Sequence, residues 1–338
     1  MKKHIVVAAG LAVLSTGAFA SKARMSALNQ SAELGSFYMD DERNAFRSAG
    51  AFSGNYVYLE HGVNTANGRN GTVEGGVFRE GGSMNYGLYF NSATRGNVQQ
   101  ETATTIDPAR LDVFLRSNSG MNWGVRLGYE SITVDGANAD ASGFDFSVNG
   151  DLGGANVWFT YVPGTDATST GQAETEADMT LGATHAMGDH TLFAEYDSSG
   201  GFDTANNEAY TTLTVGAART HATDSGMWFY DISYVMETAI NNVDEDDRNS
   251  LPVTIGFESK ATSWLTWRAS IQQSLFGARD TSGSEASART TTVGVGASLT
   301  WGNLRVDGVV QGIDNTAAGA GALGSDQLLS NVSAVYNF

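Results

Sequence analysis

The chain has 338 residues, with 41 glycines, 3 prolines, no cysteine and a formal net charge of −18. No disulfide or cysteine metal site can form, and the acidic balance opposes nucleic-acid binding, which needs a basic surface. Hydrophobic residues make up 41% of the chain. They stand singly among Gly, Ser, Thr and Asn, so few runs could fill a dry core.

Residues 1–20 read as a cleavable signal peptide. Lys2 and Lys3 form a positive start, Ile5 to Leu14 a short apolar stretch, and Ala18-Phe19-Ala20 a small-x-small cleavage site that places the mature start at Ser21. The apolar stretch is too short for a spanning helix. Beyond Ser21 no run reaches 18 apolar residues, so a helical membrane span is excluded. Without Lys2 and Lys3, 17 basic residues face 37 acidic ones, a net of −20. That balance suits a surface or pore that meets cations.

Residues 21–52 differ from the rest and read as an N-terminal periplasmic or lumenal segment. Asp40-Asp41-Glu42 followed by Arg43 to Ala49 predicts a short helix, with Asp40 as N-cap and acids in the first turn. From Asn55 the pattern changes to period two, so residues 53–338 form the second unit. Met84, Tyr86, Leu88 and Phe90 alternate with Asn85, Gly87, Tyr89 and Asn91. Leu111, Val113 and Leu115 alternate with Arg110, Asp112 and Arg116, and Trp123, Val125, Leu127 and Tyr129 with Gly124, Arg126, Gly128 and Glu130. Trp228, Tyr230, Ile232, Tyr234 and Met236 alternate with Asp231, Ser233 and Glu237. Each stretch is a strand with one apolar and one wet face.

The alternation predicts about 16 strands, in the range of about 14–18. They begin near Asn55, Thr72, Ser83, Ala109, Met121, Ser142, Ala155, Ala177, His190, Glu208, Met227, Ser250, Trp264, Thr290, Asn303 and Leu328. Tight turns fall at Gly81-Gly82, 118–120, 151–154, Gly188-Asp189, 261–263 and Trp301-Gly302, with 219–226 the one longer member of that set. Long polar connections fall at 64–71, 93–108, 132–141, 164–176, 199–207, 239–249, 276–289 and 313–327. Short and long connections alternate along the chain, as periplasmic turns and extracellular loops do in a closed antiparallel transmembrane β-barrel. Backbone left unpaired in lipid is costly, so the sheet must close. Pro108, Pro163 and Pro252 read as strand ends, where a missing donor is tolerated. Trp123, Tyr129, Trp228, Trp267 and Tyr336 read as interfacial aromatics on the outward face.

Val332, Ala334, Tyr336 and Phe338 share one face of the last strand, and Phe338 is the last residue. This row resembles the C-terminal signal of Gram-negative outer-membrane barrels, which the barrel assembly machinery reads. The resemblance implies export to the outer membrane and lipid contact. The strand count resembles general diffusion porins. That implies passive diffusion of small polar solutes and ions, with a homotrimer as the candidate assembly. The third long connection, 132–141, is short and lacks those porins' Pro-Glu-Phe-Gly motif. Asp40, Asp41, Ala45 and Phe46 are distantly similar to the early segment of fatty-acid-transporter-type barrels, although Arg47-Ser48-Ala49 stands where that family has Asn-Pro-Ala.

The wet faces carry Arg110, Asp112, Arg116, Arg126, Glu130, Asp145, Asp178, Glu195, Asp231, Glu237, Glu258, Arg268, Arg305 and Asp307. A charge at mid-membrane on a lipid-facing strand costs about 2–4 kcal/mol, so this face must look inward, where the charges read as pore-lining. Acids exceed bases, which predicts a mild cation preference. A substrate-specific transporter plugged by residues 21–52 and a non-conducting structural or adhesion barrel stay open beside the diffusion pore. Catalysis has little support, because none of His61, His185, His190 and His221 has Ser two residues away. No cofactor or metal is expected. Residues 319–324 match G-x-G-x-x-G but lie in a long loop before a strand, without the strand-to-helix setting of a phosphate loop. The acidic run 244–247 lacks the EF-hand spacing.

Overall fold

A computed structural model describes residues 21–62, 73–92, 106–118, 122–134, 141–164, 176–200, 209–240, 245–281, 284–287, 290–315 and 331–338. The signal-peptide residues and the G-x-G-x-x-G stretch lie outside the described residues. Two short helices, α1 (Lys22–Ala27) and α2 (Asn44–Arg47), precede the strands. The strands are β1 (Tyr56–Gly62), β2 (Val73–Glu80), β3 (Met84–Phe90), β4 (Ile106–Ser117), β5 (Trp123–Val134), β6 (Ala141–Leu152), β7 (Ala155–Val162), β8 (Asp178–Met187) and β9 (His190–Ser199). They continue with β10 (Ala209–Thr223), β11 (Gly226–Ile240), β12 (Glu245–Lys260), β13 (Leu265–Thr281), β14 (Ser284–Ser287), β15 (Thr290–Trp301), β16 (Leu304–Asn315) and β17 (Asn331–Asn337).

All strands belong to one antiparallel sheet, and apart from the short β14 each pairs with the next strand round the ring. β1 closes the ring by pairing with β17, from Tyr56 opposite Asn337 to Gly62 opposite Asn331. β14 lies outside the ring. It extends the end of β13 at Ala278–Thr281, while β15 pairs with β13 directly along Leu265–Gln273. Sixteen strands therefore close the barrel, which leaves the wall without an open sheet edge.

The period-two reading of the wall holds residue by residue. Tyr86, Leu88, Leu127, Phe144, Ile255, Ile271 and Val295 face outward and are exposed, while their alternates Asn85, Tyr89, Arg126, Asp145, Thr254 and Ser270 are buried. The outer apolar belt leaves lipid as the solvent for this surface. Trp123, Tyr129, Trp228, Trp267 and Tyr336 all lie on it. Val332 and Phe338 share the outward side of β17, whereas Ser333 and Val335 between them are buried. Gly153 and Gly154 form the tight β6–β7 turn with φ of 61° and 88°. A side chain would strain both, because the right-handed strand twist favours turns of positive φ.

Three details differ from expectation. The wall rises further than the polarity suggests, so β12 and β13 take in much of 239–249 and 276–289, and 219–226 tightens to a turn over Asp224 and Ser225. Pro108 and Pro252 lie within β4 and β12 rather than at strand ends. At Pro252 the β12–β13 register shifts between Ser250 and Pro252. A bulge there releases the donor position that proline cannot fill. The helix near residue 44 is one turn without a side-chain cap. Asp40 does not cap it; instead Asp41 accepts a hydrogen bond from the Arg43 backbone N–H at 2.9 Å.

Candidate functional site

The N-terminal segment packs against the inward side of the ring. All six residues of α1 are buried, and the helix contacts β13, β15, β16 and β17. Its start is fixed by the Ser21 hydroxyl, which accepts from the Arg24 N–H at 2.8 Å. Met25, Leu28 and Met39 pack with Phe229 of β11. Ala45, Phe46 and Phe52 join Tyr56, Tyr58, Phe78, Tyr89, Phe114 and Val335 in an apolar cluster that takes in β1 to β4 and β17. Phe46 meets Tyr89 and Phe114 edge-on at 5.0 and 5.3 Å. Across the lumen, Phe37 stacks on Phe193 of β9 at 4.5 Å.

Four basic side chains of this segment meet carboxylates of the wall. Lys22 pairs with Glu74. Arg24 reaches Glu258 at 2.9 Å and Asp41 at 2.7 Å. Arg43 lies 3.4 Å from Glu60 and 3.9 Å from Glu74, and also donates to the Tyr89 hydroxyl at 3.1 Å. Arg47 reaches Glu195 at 2.7 Å, with its guanidinium 3.7 Å from the Phe37 ring centre. Burying a guanidinium is expensive unless it is paired and hydrogen-bonded, and these partners meet that need. Burial pushes the Asp41 carboxyl up to about 6 against the opposing pull of Arg24. Burial likewise pushes Glu42 up to about 8, although the Tyr56 hydroxyl donates to it.

The wall charges form two further networks. Arg110 reaches Asp112 at 2.8 Å and Asp145 at 2.7 Å, and Arg126 reaches Asp145 at 3.0 Å, with Glu130 3.9 Å from Arg110. Arg268 joins Glu258 at 3.0 Å and Asp307 at 2.9 Å, and Arg305 joins Asp307 at 3.1 Å. Ser298 sits between Arg268 and Asp307. The structure thus brings together most of the charges expected on the inner face, but as buried pairs. Asp231 accepts from the Tyr38 hydroxyl, and Arg116 donates to the Phe52 carbonyl. Glu237 stands apart, paired with Arg248 at 3.0 Å and partly exposed. Asp178 accepts from the Gly200 N–H at 3.2 Å. In the acidic run, Asp247 accepts from Thr238 within the β11–β12 ladder.

Glu60 and Glu74 are absent from the sequence-based set. Tyr56 and Tyr58 precede Glu60 on the same inward face, so β1 shows no apolar-outside, polar-inside contrast. Glu74 is the second residue of β2, next to glycines that carry no pattern.

The wall is shaped to receive the segment. A Cβ on Gly294 would lie 2.6 Å from the Ala27 carbonyl oxygen, and one on Gly296 would lie 2.7 Å from the Ala27 Cβ. Gly50 approaches Gly124 so closely that a Cβ on Gly124 would lie 2.2 Å from the Gly50 nitrogen. The Gly50 N–H donates to Asn149 at 2.7 Å. Between residues 40–54 and the short-turn end of β2–β7 lies a cavity of about 650 Å³, lined among others by Glu42, Phe52, Glu80, Arg116 and Asp151. Among the described residues, no group of three or more His, Asp or Glu side chains is arranged to hold a metal ion.

Neither a protein-family model nor a curated protein sequence matches the chain. Solved structures do. A bacterial polysaccharide outer-membrane secretin aligns with a TM-score of 0.55 at 7% identity, over 84% of this chain and 97% of the other. An outer-membrane expressed OmpT of Vibrio cholerae aligns at 0.43 and 10% identity, over 84% and 95%. A porin refined at 1.8 Å aligns at 0.41 and 10% identity, over 84% and 99%. The fold is a closed antiparallel β-barrel, shared with the outer-membrane secretin. Within that class, this chain carries its own N-terminal residues inside the ring.

Proposed function

We propose that this protein is an outer-membrane transport barrel held closed at rest by residues 21–52, and that it passes small polar solutes when that segment moves. The observation that carries this reading is the set of ion pairs joining Lys22, Arg24, Arg43 and Arg47 to Glu74, Glu258, Glu60 and Glu195. An open diffusion pore would leave those wall carboxylates in water. Displacing the segment withdraws its four cations and uncovers an inner face on which acids exceed bases. Arg110, Asp112, Arg126, Glu130, Asp145, Glu195, Asp231, Glu258, Arg268, Arg305 and Asp307 then line the path. Charged pore walls select counter-ions, so the opened barrel prefers cations. The Val332, Ala334, Tyr336 and Phe338 row serves as the assembly signal, residues 1–20 as the export signal, and a homotrimer is the assembly that fits the class. No chemical step is needed.

Planar-bilayer conductance tests this. The chain starting at Ser21 is expected to be nearly silent, and removal of residues 21–52 to give steady conductance with a cation-selective reversal potential. Large steady conductance in the intact chain would return the protein to the open porins. Silence in both forms would make it a structural barrel.

A further inference from the structure

Where the start of α1 meets β1 and β2, the ion pairs do not balance. Glu60 and Glu74 stand directly opposite each other in the β1–β2 ladder, and both are buried. Like charges so placed repel. Glu33 of the segment joins them, 2.8 Å from Lys22 and 3.1 Å from Arg43. Among the described residues, Lys22 and Arg43 are the only cations that pair with these three carboxylates. Two positive charges therefore face three negative ones. The Oε2 of Glu74 is buried and makes no hydrogen bond among the described residues. The same holds for the hydroxyl of Ser333, which stands opposite Glu60 in the β1–β17 ladder. A buried acceptor left unmet is costly. What the cluster lacks is one more cation.

Ser21 is buried, and the next backbone N–H, that of Lys22, donates to Glu60 at 2.5 Å. Successive backbone nitrogens lie at most about 3.7 Å apart, so the Ser21 nitrogen is within roughly 6 Å of the Glu60 carboxylate. We propose that the α-ammonium group created at Ser21 by signal-peptide removal is the missing cation, and that it pairs with Glu60 and Glu74 to seat the segment. The inference rests on the cleavage proposed after Ala20. Hydrolysis by a signal peptidase breaks the Ala20–Ser21 amide. The oxygen of water goes to Ala20, which leaves as a carboxylate, and both water hydrogens go to the Ser21 nitrogen. A neutral amide with one N–H thus becomes an ammonium with three. A positive charge at a helix start is otherwise unfavourable, so the carboxylates are what hold it there. Processing of the precursor and closure of the barrel are then coupled: only the processed chain seats its segment fully.

Acetylation of the chain starting at Ser21, performed on the unfolded chain near neutral pH, tests this. The α-amine reacts ahead of Lys22 and Lys260, the two lysines beyond residue 20, because it holds its proton less tightly than a lysine does. After refolding, protease is expected to cut α1 roughly tenfold faster or more in the acetylated chain than in the free one. Reductive dimethylation, which adds bulk but keeps the charge, should leave α1 protected. In a chain carrying both Glu60→Gln and Glu74→Gln, acetylation should make no further difference. Equal cutting of the acetylated and free chains overturns the proposal. If the acetylated chain does not refold, the dimethylated one decides, since carbon-13 methyl groups report its titration by NMR. The midpoint is expected to be higher in the folded than in the unfolded chain, and equal midpoints overturn the proposal. N-terminal sequencing of protein from outer membranes separates two failures. A start other than Ser21 ends the cleavage reading and this inference with it, whereas a Ser21 start without an effect of acetylation ends this inference alone. Neither readout involves transport, so a negative bilayer experiment refutes a different statement.

Discussion

The lumen holds its N-terminal segment in two different ways. Next to β1–β4, residues 45–52 are fixed by rings: Phe46 and Phe52 sit among Tyr56, Tyr58, Phe78, Tyr89 and Phe114. Next to β11–β17, α1 is fixed by charge and clearance as well as by apolar packing: Arg24 bridges Asp41 to Glu258, Gly294 and Gly296 leave room for Ala27, and Met25 and Leu28 pack on Phe229. The ring-packed part adjoins the point where the chain joins β1, while the charge-held part is remote from it in sequence. Apolar burial is indifferent to pH and to competing ions; buried ion pairs are not. The comparison teaches that, under the proposed opening, the ion-paired α1 would respond to pH and salt more than the aromatic part does.

The contrast can be broken from either side. The largest effect is expected from Phe46→Ala, which empties a fully packed aromatic site at about 3–5 kcal/mol. It should lower the melting temperature and expose the whole segment to added protease. Arg24→Met should cost about 3 kcal/mol by leaving Asp41 without its charge partner and Glu258 with Arg268 alone. Here proteolysis should reach α1 first and spare residues 45–52; cleavage at both places together would erase the distinction. Gly294→Val should cost about 1–3 kcal/mol by overpacking against Ala27. It should raise bilayer conductance with little change in barrel melting.

The smallest effect is that of pH. Asp41 and Glu42 hold their protons more tightly when seated than when free. Their contribution is therefore fully present below the ordinary carboxyl range and is lost as pH rises through about 6 for Asp41 and about 8 for Glu42. Protease access to the segment should grow across that interval. Glu42→Gln should flatten its upper part, and an unchanged profile in that variant would assign the upper step elsewhere.

Much of the wall was legible in the sequence. Leu88 against Tyr89, or Leu127 against Arg126, declares which side is lipid because a strand has a period of two and lipid rejects charge. Strand tops were less legible, since residues near 245–249 and 277–281 extend above the apolar belt, where polarity no longer reports pairing. The interior was legible as a set of charges but not as a set of partners. Nothing local to Arg47 names Glu195, and nothing in β5 says that Gly124 is small because Gly50 arrives there. Those pairings span the ring, and only closure creates them. The helix α1 gave no pattern at all. It is buried on every side, so its six residues lack the polar face that betrays a surface helix.

The seam between β1 and β17 joins strands from opposite ends of the barrel sequence. Pairing across so long a separation comes late, because the intervening chain must first be ordered. Residues 21–54 directly precede β1, so they are already present when the wall curls up and the seam forms. A barrel whose segment is deleted also loses the surface that its inward charges and glycines meet.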